Sequence, residues 1–255
     1  MGDLDIIQII KIRLGEIPCL YIKPKFKCKE RSAVIYYHGW SSKKENGLFI
    51  GKVLTFHGHE VIIPDAIYHG ERKALDKYNV EAMKKYFWDV IINTVKEYDG
   101  LITGAAELLE TDRNKVAVMG SSMGGFIASG VFAVNKEIKC LVNMNGACAW
   151  KKAESIFKEL DRDGKGAASQ KQRKLIAEYD PLGKKEDLYP RPILMLHGDA
   201  DTSVSIEIQR YFYKEVKKLY KGMPERLRLI ESSNLNHYKT TGMLEETLKW
   251  FEMYL

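Results

Sequence analysis

Val116-Ala117-Val118-Met119-Gly120-Ser121-Ser122-Met123-Gly124-Gly125 is an apolar run that ends in a serine with a glycine two positions to either side. The four apolar residues suit a strand covered on both faces, and the small residues after them suit an abrupt turn into a helix. In such a turn the central residue takes a strained backbone conformation. Gly120 and Gly124 keep side chains out of the space where strand and helix nearly touch. Ser122 then stands alone at the tip. Taking Ser121 as the centre would put Met119 where the first glycine belongs, so the frame is settled. Alone the five-residue pattern is a weak signal, since a chain with 20 glycines can carry it by accident, and its context must decide what it means.

That context is an alternation of strands and helices. Residues 5–12 and 16–23, rich in isoleucine and parted by Gly15, predict an antiparallel pair at a sheet edge, ended by Pro24. Ala33 to Tyr37 is a continuous apolar run that stops at His38-Gly39-Trp40; Leu48 to Phe56 is helix-like, and Glu60 to Asp65 is the next buried strand. Val80, Met83, Phe87, Val90, Ile91 and Val95 recur at helical spacing, and Leu101, Ala105, Leu108 and Leu109 extend the same expected helix past Gly100. An almost wholly apolar helix follows the Ser122 turn to Val134. Strands are expected at Ile138–Met144, Pro192–Leu196 and near Arg226–Ile230, a helix carries Ile208 to Leu219, and another closes the chain from about Gly242 to Leu255.

Apolar strands alternating with helices imply an α/β fold with a mainly parallel sheet and helices on both faces. Ligands in such sheets sit at the carboxyl ends of the strands. About 48 residues separate Met144 from Pro192, roughly twice what a helical crossover needs. The surplus, at about 146–190, is expected to form a small helical lid on a single domain spanning 1–255.

Composition narrows the function. At 255 residues and 45% apolar content the chain can bury a large core. Its net charge of +6 is scattered among glutamates rather than gathered in a block, and no nucleic-acid motif is present, so no nucleic-acid partner is expected. Cys19, Cys28, Cys140 and Cys148 fall in no paired metal spacing and read as reduced thiols of a cytoplasmic protein. The acidic start Met1-Gly2-Asp3-Leu4-Asp5, with Gln8 and Lys11 interrupting the next apolar run, does not read as a signal peptide, and no apolar run is long enough to span a membrane. No membrane partner is expected.

A serine at a strained strand-to-helix turn is suited to nucleophilic attack, and it needs a base and an acid. In this kind of turn the partners follow in chain order, acid and then histidine. His38, His57, His59 and His69 precede Ser122, and His197 precedes the candidate acids. That leaves His237, in the loop Ser232-Ser233-Asn234-Leu235-Asn236-His237-Tyr238. The acid belongs in Leu196-His197-Gly198-Asp199-Ala200-Asp201, where Asp201 is preferred. Asp199, next to Gly198, is better suited to holding the turn through its own backbone amides. An oxyanion needs two backbone donors: Met123, after the serine, and Trp40, in the loop after the strand ending at Tyr37. No cofactor or metal is required. His38, Trp40, Ser121 and Trp150 are candidates for the substrate pocket, with Phe157, Tyr179 and Tyr189 as further aromatic residues for its lining.

Through His38-Gly39-Trp40, Gly120-Ser121-Ser122-Met123-Gly124, Asp201 and His237 the chain resembles the α/β-hydrolase superfamily over roughly residues 5–255. Asp65 followed by His69-Gly70-Glu71-Arg72 is similar to the small bacterial esterases related to the prolyl oligopeptidase and dienelactone hydrolase branches. The resemblance implies an eight-stranded sheet whose second strand runs antiparallel, a Ser122-Asp201-His237 triad and hydrolysis of a small-molecule carboxylic ester. Asn236 departs from the glycine that many relatives carry before the histidine, and there is no room for the β-propeller of the large peptidases. The alternatives are a peptidase, thioesterase or acyltransferase using the same triad, or a ligand-binding module without catalysis.

Overall fold

The computed structural model describes residues 6–26, 32–109, 115–160 and 168–255. Its strands are β1 (Ile7–Leu14), β2 (Ile17–Pro24), β3 (Ala33–Tyr37), β4 (Glu60–Pro64), β5 (Val116–Ser121), β6 (Leu141–Met144), β7 (Ile193–Gly198) and β8 (Leu227–Ser232). They form one sheet in the order β1-β2-β4-β3-β5-β6-β7-β8. β2 is antiparallel to both of its neighbours, and every other adjacent pair is parallel. This is the α/β-hydrolase fold expected from the sequence.

The apolar runs are continuous because both faces of the central strands are covered. Successive side chains alternate between two cores. Ile35, Tyr37, Val118, Ile193 and Met195 enter one core with helices α2 (Val80–Lys96), α3 (Tyr98–Leu109), α4 (Met123–Val134) and α8 (Glu207–Val216). Val34, Tyr36, Ala117, Met119, Leu194 and Leu196 enter the other with α1 (Leu48–Phe56) and α9 (Thr241–Tyr254). β5 lies at the middle of the sheet, so its carboxyl end is flanked by the ends of β3 and β6.

Two expectations need correction. The helix expected to run unbroken from Val80 past Gly100 breaks at Glu97, and Gly100 lies inside the second piece. Arg72 holds the Glu97 carboxylate through both guanidinium nitrogens, at 2.8 and 2.6 Å. The break lets α2 pack on α4 while α3 turns to β1, which one straight helix could not do. The strand expected at Ile138–Met144 is shorter, Leu141–Met144, although Lys139 N–H still donates to Val116 C=O at 2.8 Å.

The long β6–β7 connection is helical where described: α5 (Trp150–Leu160), α6 (Gln170–Tyr179), a 3-10 turn (Pro181–Lys184) and α7 (Lys185–Leu188). It is fastened to α2, with Trp88 Nε1 donating to Glu154 at 2.7 Å and Gln172 Nε2 to Asp89 at 3.0 Å. Buried Asp180 ties its two halves together, accepting from the amides of Trp150 (2.8 Å) and Leu182 (3.2 Å). Cys19, Cys140 and Cys148 are buried free thiols, and Cys28 lies outside the described residues. No helix among the described residues is long and apolar enough to cross a membrane.

Candidate active site

β5 ends at Ser121, α4 begins at Met123, and Ser122 between them has φ 57° and ψ −124°. A non-glycine residue in that region carries a cost of a few kcal/mol at most, about 1–3, which the surroundings must offset. Ser122 N–H donates to Met144 C=O at 2.9 Å, and its carbonyl accepts from Gly125 N–H at 2.8 Å. A Cβ on Gly120 would overlap the Gly124 carbonyl, and one on Gly124 would overlap the Tyr37 carbonyl. The two glycines therefore allow β5, the start of α4 and the end of β3 to converge under the serine.

The ends of β7 and β8 bring two distant residues to the same point. His237 Nε2 lies 2.8 Å from Ser122 Oγ, and His237 Nδ1 lies 2.6 Å from Asp201 Oδ2. The Asp201 side chain is wholly buried, whereas a quarter of the His237 side chain is exposed. The other Asp201 oxygen accepts from the amides of Ser203 (2.8 Å) and Val204 (2.9 Å). Burial alone would raise this carboxyl, but hydrogen bonds from His197, His237 and the Val204 amide outweigh it and hold the group well below the usual carboxylate range. The arrangement can pass the serine proton to an imidazole whose orientation a fixed anion maintains.

The two loops that carry Asp201 and His237 are cross-linked. Asp199 accepts from Asn234 N–H at 2.7 Å, in the histidine loop rather than in its own turn as the sequence suggested. Asn236 Oδ1 accepts from Thr202 N–H at 3.0 Å and His237 N–H at 2.7 Å. The Asn236 side chain therefore holds the acid loop against the histidine. Buried Asn145 adds a third tie, donating to Tyr238 C=O at 2.8 Å and accepting from Gly198 N–H at 3.2 Å.

The loop after β3 passes beside the serine: a Cβ on Gly39 would lie 3.4 Å from Ser122 Cβ and 3.9 Å from its Oγ. Trp40 follows directly, and Met123, as the first residue of α4, has no carbonyl one turn earlier for its amide. His38 is buried and does not face an open pocket. Its Nδ1–H donates to Gly39 C=O at 2.9 Å and its Nε2 accepts from Ala66 N–H at 3.1 Å, which joins the loops after β3 and β4. Below them fully buried Lys44 reaches Asp65 at 2.7 Å and Glu71 at 2.6 Å. Asp65 also accepts from the Lys44 and Glu71 amides, at 2.9 and 3.0 Å. The Asp65 to Arg72 stretch singled out in the sequence is thus the support of the Trp40 loop.

Burial pushes His38 down to about 4, a drop that its bond to the Gly39 carbonyl only partly offsets. Its folded-state value lies below the unfolded one near 6.5, so the unfolded chain takes up the proton first. Stability fully present above pH 6.5 is therefore lost as the pH falls toward 4, by up to about 3 kcal/mol from this one residue. We expect the urea-unfolding free energy to fall across that window, and His38→Gln to remove most of that share. An equal fall in wild type and variant would contradict the assignment.

The remaining pocket candidates disperse. Ser121 is buried at the end of β5. Trp150 has no exposed surface and stands 5.8 Å from Trp88, in the helical layer rather than on an open wall. Tyr189 packs on Tyr220 at 5.4 Å, and Tyr179 lies near Lys96. Phe157 meets Phe87 at 6.0 Å, and Phe87 in turn meets Trp40 at 6.2 Å. Of the aromatic candidates, Trp40 and Phe157 are thus linked through one ring that the sequence reading placed in a helix core.

Sequence reasoning set His197 aside as a base and did not single out Lys44 or Asn145. A histidine inside a strand that is otherwise buried and apolar is itself a signal, because a buried polar ring must find partners. Lys44 had no such mark in its polar loop.

Residues 93–255 match the model of the prolyl oligopeptidase family. The chain is 30% identical to YitV of Bacillus subtilis (strain 168), provisionally named an esterase, over 98% of this chain and the whole of YitV. It is 28% identical to Esterase YjfP of Escherichia coli (strain K12), again over 98% of this chain and all of the relative. Among solved structures, TT1662 from Thermus thermophilus superposes with a TM-score of 0.78 at 17% identity, covering 97% of each chain.

Proposed function

Because the chain belongs to the prolyl oligopeptidase family and is a serine hydrolase of α/β fold, we propose that it cleaves small carboxylic esters through an acyl-enzyme. The observation that carries this reading is the 2.8 Å approach of His237 Nε2 to Ser122 Oγ, with the carboxylate of Asp201 on the far side of the ring.

In the first step Ser122 Oγ attacks the ester carbonyl while His237 Nε2 takes its proton. The oxyanion that forms is met by the backbone N–H groups of Met123 and Trp40. Asp201 stabilises the imidazolium without itself being protonated. Collapse of the tetrahedral intermediate breaks the bond to the alcohol, which leaves with the proton from His237. Water then enters, gives its proton to His237 and attacks the acyl carbon; the acid departs and Ser122 recovers its proton. The helices described between β6 and β7, α5 to α7, act as the lid that limits the acyl group, with Phe157 their contribution to the Trp40 side.

Esters are favoured over amides by the two full-length relatives, one named an esterase and the other provisionally so. The test is turnover of p-nitrophenyl acetate, an acyl thioester and an aminoacyl p-nitroanilide by one preparation, with fluorophosphonate labelling followed by peptide mapping. The expected result is fastest turnover of the ester and an adduct on Ser122. A preference for the anilide would make the protein a peptidase, and an absent adduct would make it a binding module.

A further inference from the structure

His197 ends in a place that neither its strand nor the reaction requires. It lies in β7, has no exposed surface, and its ring is turned toward the acid loop. Nε2 is 2.8 Å from Val204 C=O and 3.2 Å from Asp201 Oδ2. Both neighbours are acceptors, so Nε2 carries the hydrogen and shares it between them. Nδ1 is buried and has no partner among the described residues.

The consequence is a closed circuit around one carboxylate. Val204, which accepts from His197 through its carbonyl, donates to Asp201 Oδ1 through its amide at 2.9 Å. Ser203 N–H fills the second site on Oδ1 at 2.8 Å, and His237 Nδ1–H shares Oδ2 with His197 at 2.6 Å. Four donors meet four lone pairs, so the carboxylate cannot rotate.

Resting on the triad proposed above, we propose that His197 is a positioning residue that aims the Asp201 carboxylate at His237 and competes with His237 for the same oxygen. The charged groups around the pair are Asp201, His237 and, opposite His197 on β8, Glu231, whose carboxylate is engaged by Arg210 of α8. Among the described residues no other charged side chain bonds to this ring, so the competition at Oδ2 is the interaction that substitution changes.

The test compares His197→Phe, which fills the space without a donor, with His197→Gln, whose distal N–H replaces Nε2–H, and His197→Asn, whose amide is one bond too short. Because Nδ1 makes no bond among the described residues, glutamine loses nothing there. For His197→Phe we expect kcat/KM on p-nitrophenyl acetate to fall about tenfold with KM little changed, a loss well within one hydrogen bond to a charged group. Freed of one donor, Oδ2 stabilises the imidazolium more, and the acid limb of kcat/KM moves to higher pH by about half a unit. His197→Gln restores both; His197→Asn restores neither, and supplies the comparison should the phenylalanine variant not fold. If the limb stays in place in the phenylalanine or asparagine variant while only thermal stability falls, His197 is a packing residue and the proposal is overturned. Failure of the triad reading looks different: the wild-type protein then takes no fluorophosphonate on Ser122, whatever stands at 197.

Discussion

Ser122→Ala is expected to lower kcat on p-nitrophenyl acetate by on the order of a millionfold and to leave a folded protein. The loss is this large because the variant has no group to form the acyl-enzyme, and His237 and Asp201 have no proton to collect from the missing hydroxyl. In the proposed mechanism what remains is the stabilisation of an oxyanion by the Met123 and Trp40 amides, which is worth something even when water attacks directly. The fold should survive because, among the described residues, Ser122 Oγ bonds only to His237, a side chain already one-quarter exposed. The backbone bonds of residue 122 to Met144 and Gly125 do not involve the side chain. Circular dichroism and thermal melting check the fold, and stopped assays with high enzyme check the rate. A variant that keeps a tenth of the activity would place the nucleophile elsewhere.

Asp201→Asn is expected to reduce kcat/KM by about ten-thousandfold, whereas Asp199→Asn changes it only a few-fold. The direction in which the new amide points sets the size of the loss. The Ser203 and Val204 amides hold one oxygen of Asp201 at 2.8 and 2.9 Å, so the carbonyl of asparagine takes that side and its NH2 faces His237. Nδ1 of His237 must then accept rather than donate, which puts the ring hydrogen on Nε2. An imidazole with hydrogen on Nε2 cannot take the proton of Ser122. Asp199 offers a single oxygen to Asn234 N–H at 2.7 Å, and an asparagine carbonyl can do the same. Measuring both variants with one substrate separates the two carboxylates. Comparable losses at 199 and 201 would mean that the acid assignment rests on loop structure rather than on chemistry.

The elbow was legible because its cause is local. Gly120 and Gly124 are required by contacts of residues four apart with each other and with the strand next door, and steric needs at that range leave a motif in the chain. The two cores were legible for a similar reason: a strand covered on both faces has to be apolar at every position, whichever helix covers it. The break at Glu97 was not, because Val80 to Leu109 keeps helical spacing through it, and the partner of Glu97 is Arg72, 25 positions earlier. Trp150 misled for the opposite reason. An aromatic residue after a strand end suits a pocket or a core equally, and only its contact with Trp88 decides for the core.

The amino-acid sequence by itself determined the sheet with its two cores, the strained turn at Ser122, and the order in which an acid and a histidine had to follow it. Each of these depends on neighbours along the chain or on a repeat of side-chain polarity. The tertiary structure alone decided that Ser122 and His237 meet across 115 positions and His237 and Asp201 across 36. It also decided that Asp199 and Asn236 bind the opposite loop, that Lys44 is buried under the Trp40 loop, and that His197 shares the oxygen which orients His237. Contacts of that kind satisfy buried polar groups one pair at a time, so they follow no period and leave no pattern from which they could be read.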